Sequence, residues 1–251
     1  AVRSLVASVV LDAVRAGVND PALLERLSQQ MAEVTNDPGQ LSRQTVDGAL
    51  EFAELLVNSN QPPTNLQLDA DASIASNILD KSVWYENPAY AANITFDEAK
   101  IAAVRVVTLV HGLAGLASCR TTVGGQPVIV STPAFQIAAA KGTVETVEGT
   151  ALEGIDGGVW IPAHAFVRPD GLPMLPSDIV TSRVVDWSED ANPFFYAGAS
   201  ARNNHSSDPL LIGSAVKSVD FFNDANEKIV VQGLVEPFRI NLHSNANASN
   251  T

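Results

Sequence analysis

The sequence predicts an α+β protein, with a helical bundle over residues 1–120 followed by an antiparallel β-sandwich over residues 121–251. Apolar residues recur at helical spacing in the first half. The second half instead contains short β-branched and aromatic runs, about ten residues apart and separated by turn residues. A chain of 251 residues can also bury a substantial core without disulfide or metal support. The composition changes near Cys119 to Gly125, and we place the subdomain boundary there.

Five helices are predicted in the first region, each from an apolar stripe and its flanking signals. Gly17 closes the first, Asp20-Pro21 opens the second, and Ser42 opens the third. The capping box Thr95-Phe96-Asp97-Glu98 opens the fifth. The predicted helices follow the stripes Val2 to Val14, Leu23 to Val34, Val46 to Val57, Asp69 to Trp84 and Ile101 to Val110.

The strands of the second region are predicted from runs rich in valine, isoleucine, threonine and aromatic residues. These runs are Val128–Val130, Phe135–Ile137, Thr143–Val147, Val159–Ile161, Ile179–Trp187, Leu210–Phe222, Ile229–Val231 and Phe238–Leu242. Asn223 to Asn226 is predicted to be a hairpin turn. We expect no helix beyond residue 120, and we expect Trp160, Trp187, Phe221 and Ile240 to be largely buried.

Charge and cysteine content exclude several classes of protein. The net charge of −13 repels phosphate backbones, so we expect no nucleic-acid partner. The single cysteine, Cys119, excludes an internal disulfide and a cysteine-based zinc site. We expect it to be a buried or interdomain thiol. The apolar run Ile101 to Leu116 contains Arg105 and His111 and is too short for a predicted membrane span.

The polar residues form no recognisable metal or catalytic site. Asp69-Ala70-Asp71-Ala72-Ser73 begins like a calcium loop, but Ile74 stands where the required glycine belongs and Asp80 where glutamate belongs. We interpret this segment as an acidic helix N-terminus. The four histidines are scattered along the sequence, so they do not form a metal site. We expect His111 to pack within the fifth helix and His164 to lie in a loop. His205 and His243 lie in polar segments. We therefore predict no catalytic, cofactor-binding or metal-binding residue in this sequence.

Serine and cysteine chemistry finds no support either. Ser200 follows Gly198 but lacks the second glycine and the strand-to-helix context of a nucleophile elbow. Cys119 is followed by Arg120, without an adjacent histidine. Asn93, Asn204 and Asn247 each begin an N-glycosylation sequon and are possible glycan sites if the protein is secreted.

The order of helices and strands resembles the GAIN domain of adhesion receptors and polycystin-family proteins. In the helical half the resemblance rests on Leu24 to Ala32, Val34 to Pro38, Leu41-Ser42 and Val46 to Leu56. In the second half it is polycystin-like and covers Trp160 to Ala163, Val185 to Trp187, Asn192 to Phe194, and the paired-strand ending Val216 to Phe221, Glu227 to Val231 and Ile240 to Leu242.

The family's sandwich normally continues into a proteolysis motif with tryptophan and paired cysteines that ends in His-Leu-Ser/Thr. Here the pattern stops after Ile240-Asn241-Leu242, and His243-Ser244 lacks the intervening leucine and the upstream motif. The resemblance therefore implies a module that does not cleave itself within residues 1–251. The amphipathic helical pattern has already begun at residue 1, where no initiator methionine stands, and the chain ends in the polar tail Asn245 to Thr251. Both features indicate a piece of a longer protein.

The resemblance implies a structural, adhesive or signalling role on the extracellular face of a plasma or ciliary membrane. It implies as partners the downstream segment or membrane region of the same protein, and a polycystin-type channel or an extracellular ligand. It also implies an exposed sheet edge or apolar groove where a following strand would lie. Two alternatives stay open: a secreted enzyme or ligand-binding module with an unrecognised site, and a subunit of an extracellular filament with apolar surface patches.

Overall fold

A computed structural model describes most of the chain. The described residues are 2–59, 61–80, 96–152, 158–168, 170–188, 193–194, 216–231, 234 and 236–240, with residues 96–99 described by their backbone alone. They form an α+β structure with the helices first and the strands after them, as the sequence predicts.

Within the described residues, five α-helices lie before residue 120, as expected from the apolar stripes. They are α1 (Val2–Arg15), α2 (Pro21–Thr35), α3 (Arg43–Asn58), α4 (Asn65–Leu79) and α5 (Phe96–Ser118). Asp20, Ser42 and Thr64 cap the N-termini of α2, α3 and α4, each with a side-chain oxygen that accepts a backbone N–H. Gly17 ends the first helical segment with a φ of 84°, a conformation that glycine adopts without strain.

The described part of the second half contains nine strands and one short helix. They are β1 (Val128–Ser131), β2 (Phe135–Thr143), β3 (Ala151–Leu152), β4 (Val159–Trp160), β5 (Phe166–Val167), β6 (Ile179–Trp187), β7 (Val216–Phe222), β8 (Val230–Val231) and β9 (Arg239–Ile240), with α6 (Val144–Val147) after β2. They form a four-stranded sheet in the order β1-β2-β6-β7, a three-stranded sheet β3-β4-β9 and a two-stranded sheet β5-β8. All pairings between these strands are antiparallel.

The main hydrophobic core continues through the predicted boundary at residue 120. It joins buried residues of α1 to α5, such as Phe52, Ile74 and Leu113, to Phe135 and Trp187 of the four-stranded sheet. Helix α5 is the physical link, because it packs against α3 and α4 on one side and against β2 and β6 on the other. A second, smaller core surrounds Phe166 and Phe221 in the strand-rich half.

Two predicted elements differ most from the structure, and two more are longer than predicted: β2 extends to Thr143 and α5 to Ser118. The fourth helix begins at Asn65 instead of Asp69, because the Thr64 hydroxyl accepts the Gln67 N–H and caps it one turn earlier; the helix ends at Leu79, and residues 81–84 lie outside the described part of the chain. The predicted strand at 143–147 is instead the short helix α6. Thr143 and Thr146 form its capping box, so the prediction of no helix beyond residue 120 was wrong.

The expected burial of four large side chains is confirmed for two of them. Trp187 and Phe221 are buried. Trp160 is only half-buried and Ile240 is 43% exposed, because both lie in two-residue strands of the small three-stranded sheet. The predicted turn is confirmed: Asn226 adopts a φ of 60°, and Asn223 and Glu227 are joined by a backbone hydrogen bond.

Candidate functional site

An apolar groove lies among the last strands of the described chain. We call it the terminal groove; its volume is about 570 Å³. It is lined by Val219, Asp220, Phe221, Lys228, Ile229, Val230, Val231, Phe238 and Ile240. These residues belong to β7, to the hairpin that follows it, and to β8 and β9. Sequence reasoning anticipated a groove in this half from the family resemblance.

Aromatic packing forms the floor of the terminal groove. Phe221 packs edge-on against Phe166, with ring centroids 5.0 Å apart, and contacts Phe238 at 5.7 Å. Phe221 and Ile229 are buried, whereas Val230 and Ile240 expose about half of their surface at 58% and 43%. The floor is therefore fixed by the smaller core, and the walls present apolar side chains that water can reach.

Strand edges surround the same groove. Among the described strands, β8 and β9 each pair with a single neighbour, which is β5 and β4 respectively, whereas β7 pairs with β6 and is also bridged on its other side from Phe222 to Lys228. A strand with a partner on one side presents unpaired backbone N–H and C=O groups on the other. The groove thus combines apolar side chains with backbone groups that an added strand can pair with.

Charged residues occur at one end of the groove. Lys228 Nζ lies 2.5 Å from Asp220 Oδ1, and the other Asp220 oxygen lies 3.7 Å from His111 Nδ1 on α5. Partial burial lowers the pKa of His111, Asp220 raises it and Lys228 lowers it further. His111 therefore packs between the helices and the sheet, as the sequence predicted, and its neighbours are an ion pair rather than a catalytic dyad.

The helical half contains a polar cluster that sequence reasoning missed. Asp71 lies within α4 and is fully buried, so it is not at an exposed helix N-terminus as we had interpreted it. Ser28 on α2 is also fully buried. Burial raises the pKa of Asp71 to about 7, while Ser28 and Gln67 lower it. The signal was present in the sequence, because Asp71 falls on the stripe that contains Leu68, Ile74 and Ile78.

The remaining sequence candidates do not converge on one place. His164 is exposed in a turn, as expected for a loop histidine. Cys119 is exposed, so the expectation of a buried thiol was wrong. The cysteine follows the last residue of α5 and lies outside the packed part of that helix. Asn93, Asn204, Asn247, Ser200, His205, His243 and Ser244 lie outside the described residues. Within the described part, no three histidine, cysteine, aspartate or glutamate side chains are grouped to hold a metal ion.

Two other apolar features stand out in the helical half. Val2, Leu5 and Val9 of α1 are 75%, 66% and 62% exposed and form what we call the α1 stripe. In α5, the stretch Lys100–Ser118 is long and apolar enough to cross a membrane by length and composition, which corrects the expectation that the run Ile101 to Leu116 is too short; no other described helix passes this test. Of that stretch, 56% is buried within the fold, which is typical of a central core helix.

Comparison with known proteins gives a distant structural likeness and no likeness in sequence. No protein-family model matches the sequence, and no curated protein matches it. Among solved structures, the chain is similar to the full extracellular region of zebrafish Gpr126/Adgrg6, with a TM-score of 0.42 and 12% sequence identity. The match covers 78% of this chain and 25% of that chain, so this chain spans about a quarter of the structure that it resembles.

Proposed function

We propose that the chain is an extracellular GAIN-like module of a polycystin-type membrane receptor. It has a structural and mechanical role, in which it supports the receptor's outer region and transmits force or ligand state to the segment that follows. Its partner is the downstream segment of the same protein, and it acts without catalysis. The residues that carry the family resemblance lie on both sides of residue 120, and the single observation that carries the proposal is the terminal groove.

The terminal groove suits an extended apolar segment better than a small polar substrate. Its floor is the aromatic pair Phe221 and Phe238, and its walls include Val230 and Ile240. An added strand would bury these side chains at about 25 cal/mol per Å² of apolar surface and would pair with the sides of β8 and β9 on which no described strand lies. The charged end at Asp220 and Lys228 would give such a segment a preferred direction.

Peptide binding tests this proposal. The probe is a peptide copied from the segment that the parent gene encodes directly after residue 251, and thermal stability and calorimetry are the measurements. We expect the peptide to raise the melting temperature. We expect Ile240→Glu to weaken binding at least about tenfold, because a carboxylate would have to be buried under the added strand.

Ile129→Glu is the matched control. Ile129 lies in β1 and is 45% exposed, against 43% for Ile240, but it is not among the residues that line the groove. A peptide of the same composition in scrambled order controls for nonspecific binding. Peptide that fails to stabilise the wild-type chain, or that binds both variants equally, contradicts the proposal.

The α1 stripe favours a second candidate, a subunit of an extracellular assembly. Three exposed apolar side chains at successive turns of one helix make an unusual solvent face. In that case a second copy of the chain would cover them, and sedimentation would show concentration-dependent association that Leu5→Asn abolishes. A monomer at all concentrations leaves the receptor module as the supported function.

A further inference from the structure

Asp71 is a carboxyl group buried inside the helical layer. Its side chain lies between α4 and α2, with a solvent exposure of 0%. Neither of its oxygens has a hydrogen-bond partner in the described structure, and the same is true of the hydroxyl of Ser28. Ser28 and Gln67 lie near enough to lower the pKa of the carboxyl group, which opposes part of the effect of burial, but neither forms a hydrogen bond of normal geometry with its oxygens. All three belong to the face along which α2 and α4 pack together.

No charged side chain compensates this carboxyl group within the described residues. Helix α4 packs against α2, α3, α5 and β1, and β1 contains no titratable residue. The titratable side chains that the structure describes on the three helices are exposed or half-buried, and none acts on Asp71. They are Glu25, Arg26, Glu33, Arg43, Asp47, Glu51, Glu54, Lys100, Arg105 and His111. The same holds for Asp69 on α4 itself.

An uncompensated carboxylate is costly in such a place. A buried charge without a partner loses its hydration, whereas the protonated group is neutral and supplies an O–H that can donate to the Ser28 oxygen. The neutral form therefore fits the closed packing of α2 on α4, and the ionised form favours any arrangement that admits water.

We propose that Asp71 is a protonation switch for the helical layer, in which the neutral carboxyl group lets α4 pack tightly on α2 and its ionisation loosens that contact. The module is then more tightly packed in acidic fluid than in neutral fluid. This property is independent of the terminal groove and of any peptide that binds there.

The direction of the effect follows from proton linkage. Asp71 has a pKa of about 7 in the folded chain, against 3.8 for an ordinary aspartate. Between these values the folded state holds a proton that the unfolded state has released, so the stabilising contribution is full below pH 3.8 and is lost as pH rises through about 7.

The test compares urea unfolding of three proteins at about pH 5 and about pH 8. The proteins are the wild-type chain, Asp71→Asn, and Asp69→Asn as the matched control on the same helix. From pH 5 to pH 8, we expect the folding equilibrium constant of the wild type to fall by roughly tenfold to a hundredfold more than that of Asp71→Asn. Asp69→Asn should follow the wild type. His111 titrates alike in all three, so it cancels in the differences.

Two further measurements locate the effect without relying on a variant. The carboxyl carbon signal of Asp71 in the wild-type chain should titrate near neutral pH. Hydrogen exchange, corrected for its intrinsic pH dependence, should become faster at pH 8 by a larger factor in α2 and α4 than in β2 and β6, because local opening adds there to the loss of global stability. Parallel stability profiles for the wild type and Asp71→Asn would overturn the proposal, as would an Asp71 signal that titrates below about pH 5.

Discussion

Single side chains fix the irregular backbone of the strand-rich half, and Glu148 is the clearest case. Its two carboxylate oxygens accept three successive backbone N–H groups, from His164 at 2.9 Å, Ala165 at 2.8 Å and Phe166 at 3.3 Å. His164 has a φ of 59°, which is uncommon for a residue other than glycine. The carboxylate thus satisfies the donors of a turn that leads directly into β5, beside the floor of the terminal groove.

Replacing this carboxylate should measurably destabilise the fold. Glu148→Ala leaves three backbone donors without their acceptor, and we expect a loss of about 1–3 kcal/mol in the free energy of unfolding. Glu148→Gln keeps one acceptor oxygen and should lose less. Glu145→Ala is the control, because Glu145 is exposed on α6, which ends directly before Glu148. Urea unfolding checks all three, and equal stability of Glu148→Ala and Glu145→Ala would contradict this role.

Among the helices and strands, those that depend on local signals were predicted correctly from the sequence. Those that depend on contacts between distant residues were not. The caps at Asp20 and Ser42 lie where the sequence placed them, because a cap is a local hydrogen bond. Residues 143–147 were mistaken for a strand because threonine and valine favour strands, whereas the observed turn depends on Val144 donating to Asp178, distant in sequence. Asp71 was missed because we interpreted it by its charge, although its place on the apolar stripe of α4 indicated burial against a neighbouring helix.

Helices α3 and α5 approach each other closely at Gly112, where packing leaves no room for a larger side chain. A Cβ atom at Gly112 in α5 would lie 2.4 Å from Val57 Cγ1 in α3, which is far inside van der Waals contact. A Cβ atom at Gly48, within α3, would meet nothing within 4 Å. The two positions are both helical, so they separate packing from helix propensity.

Alanine substitutions at these glycines should have opposite effects. Gly48→Ala should raise the free energy of unfolding by about 0.5–1 kcal/mol, because alanine favours the helix. Gly112→Ala should lower it by about 1–2 kcal/mol, because overpacking outweighs the same gain. The double variant Gly112→Ala with Val57→Ala should recover part of the loss. Thermal or urea unfolding measures all of these, and stabilisation by Gly112→Ala alone would refute the close approach.

For the whole molecule, the helices and the four-stranded sheet form one packed body. Helix α5 contributes fully buried residues such as Leu113 to a core that also contains Trp187 of β6. Arg183 reinforces the same junction: its Nε donates to Ser118 Oγ at 3.1 Å, and its guanidinium lies 3.8 Å from the centroid of the Phe222 ring. A module that transmits force needs this continuity, because a weak seam at residue 120 would separate before the load reached the last strands.

Cooperative unfolding tests this continuity. Trp187 becomes the sole fluorescent reporter when Trp84 and Trp160 are replaced by phenylalanine, and helicity reports on α1 to α5. We expect both signals to change at the same urea concentration, because exposing the shared core disrupts helices and sheet together. Leu113→Ala should lower both midpoints equally, with a cost of about 2–5 kcal/mol. If helicity is lost in a separate transition while Trp187 stays buried, the two halves are independent units, and the mechanical role proposed for the intact module does not hold.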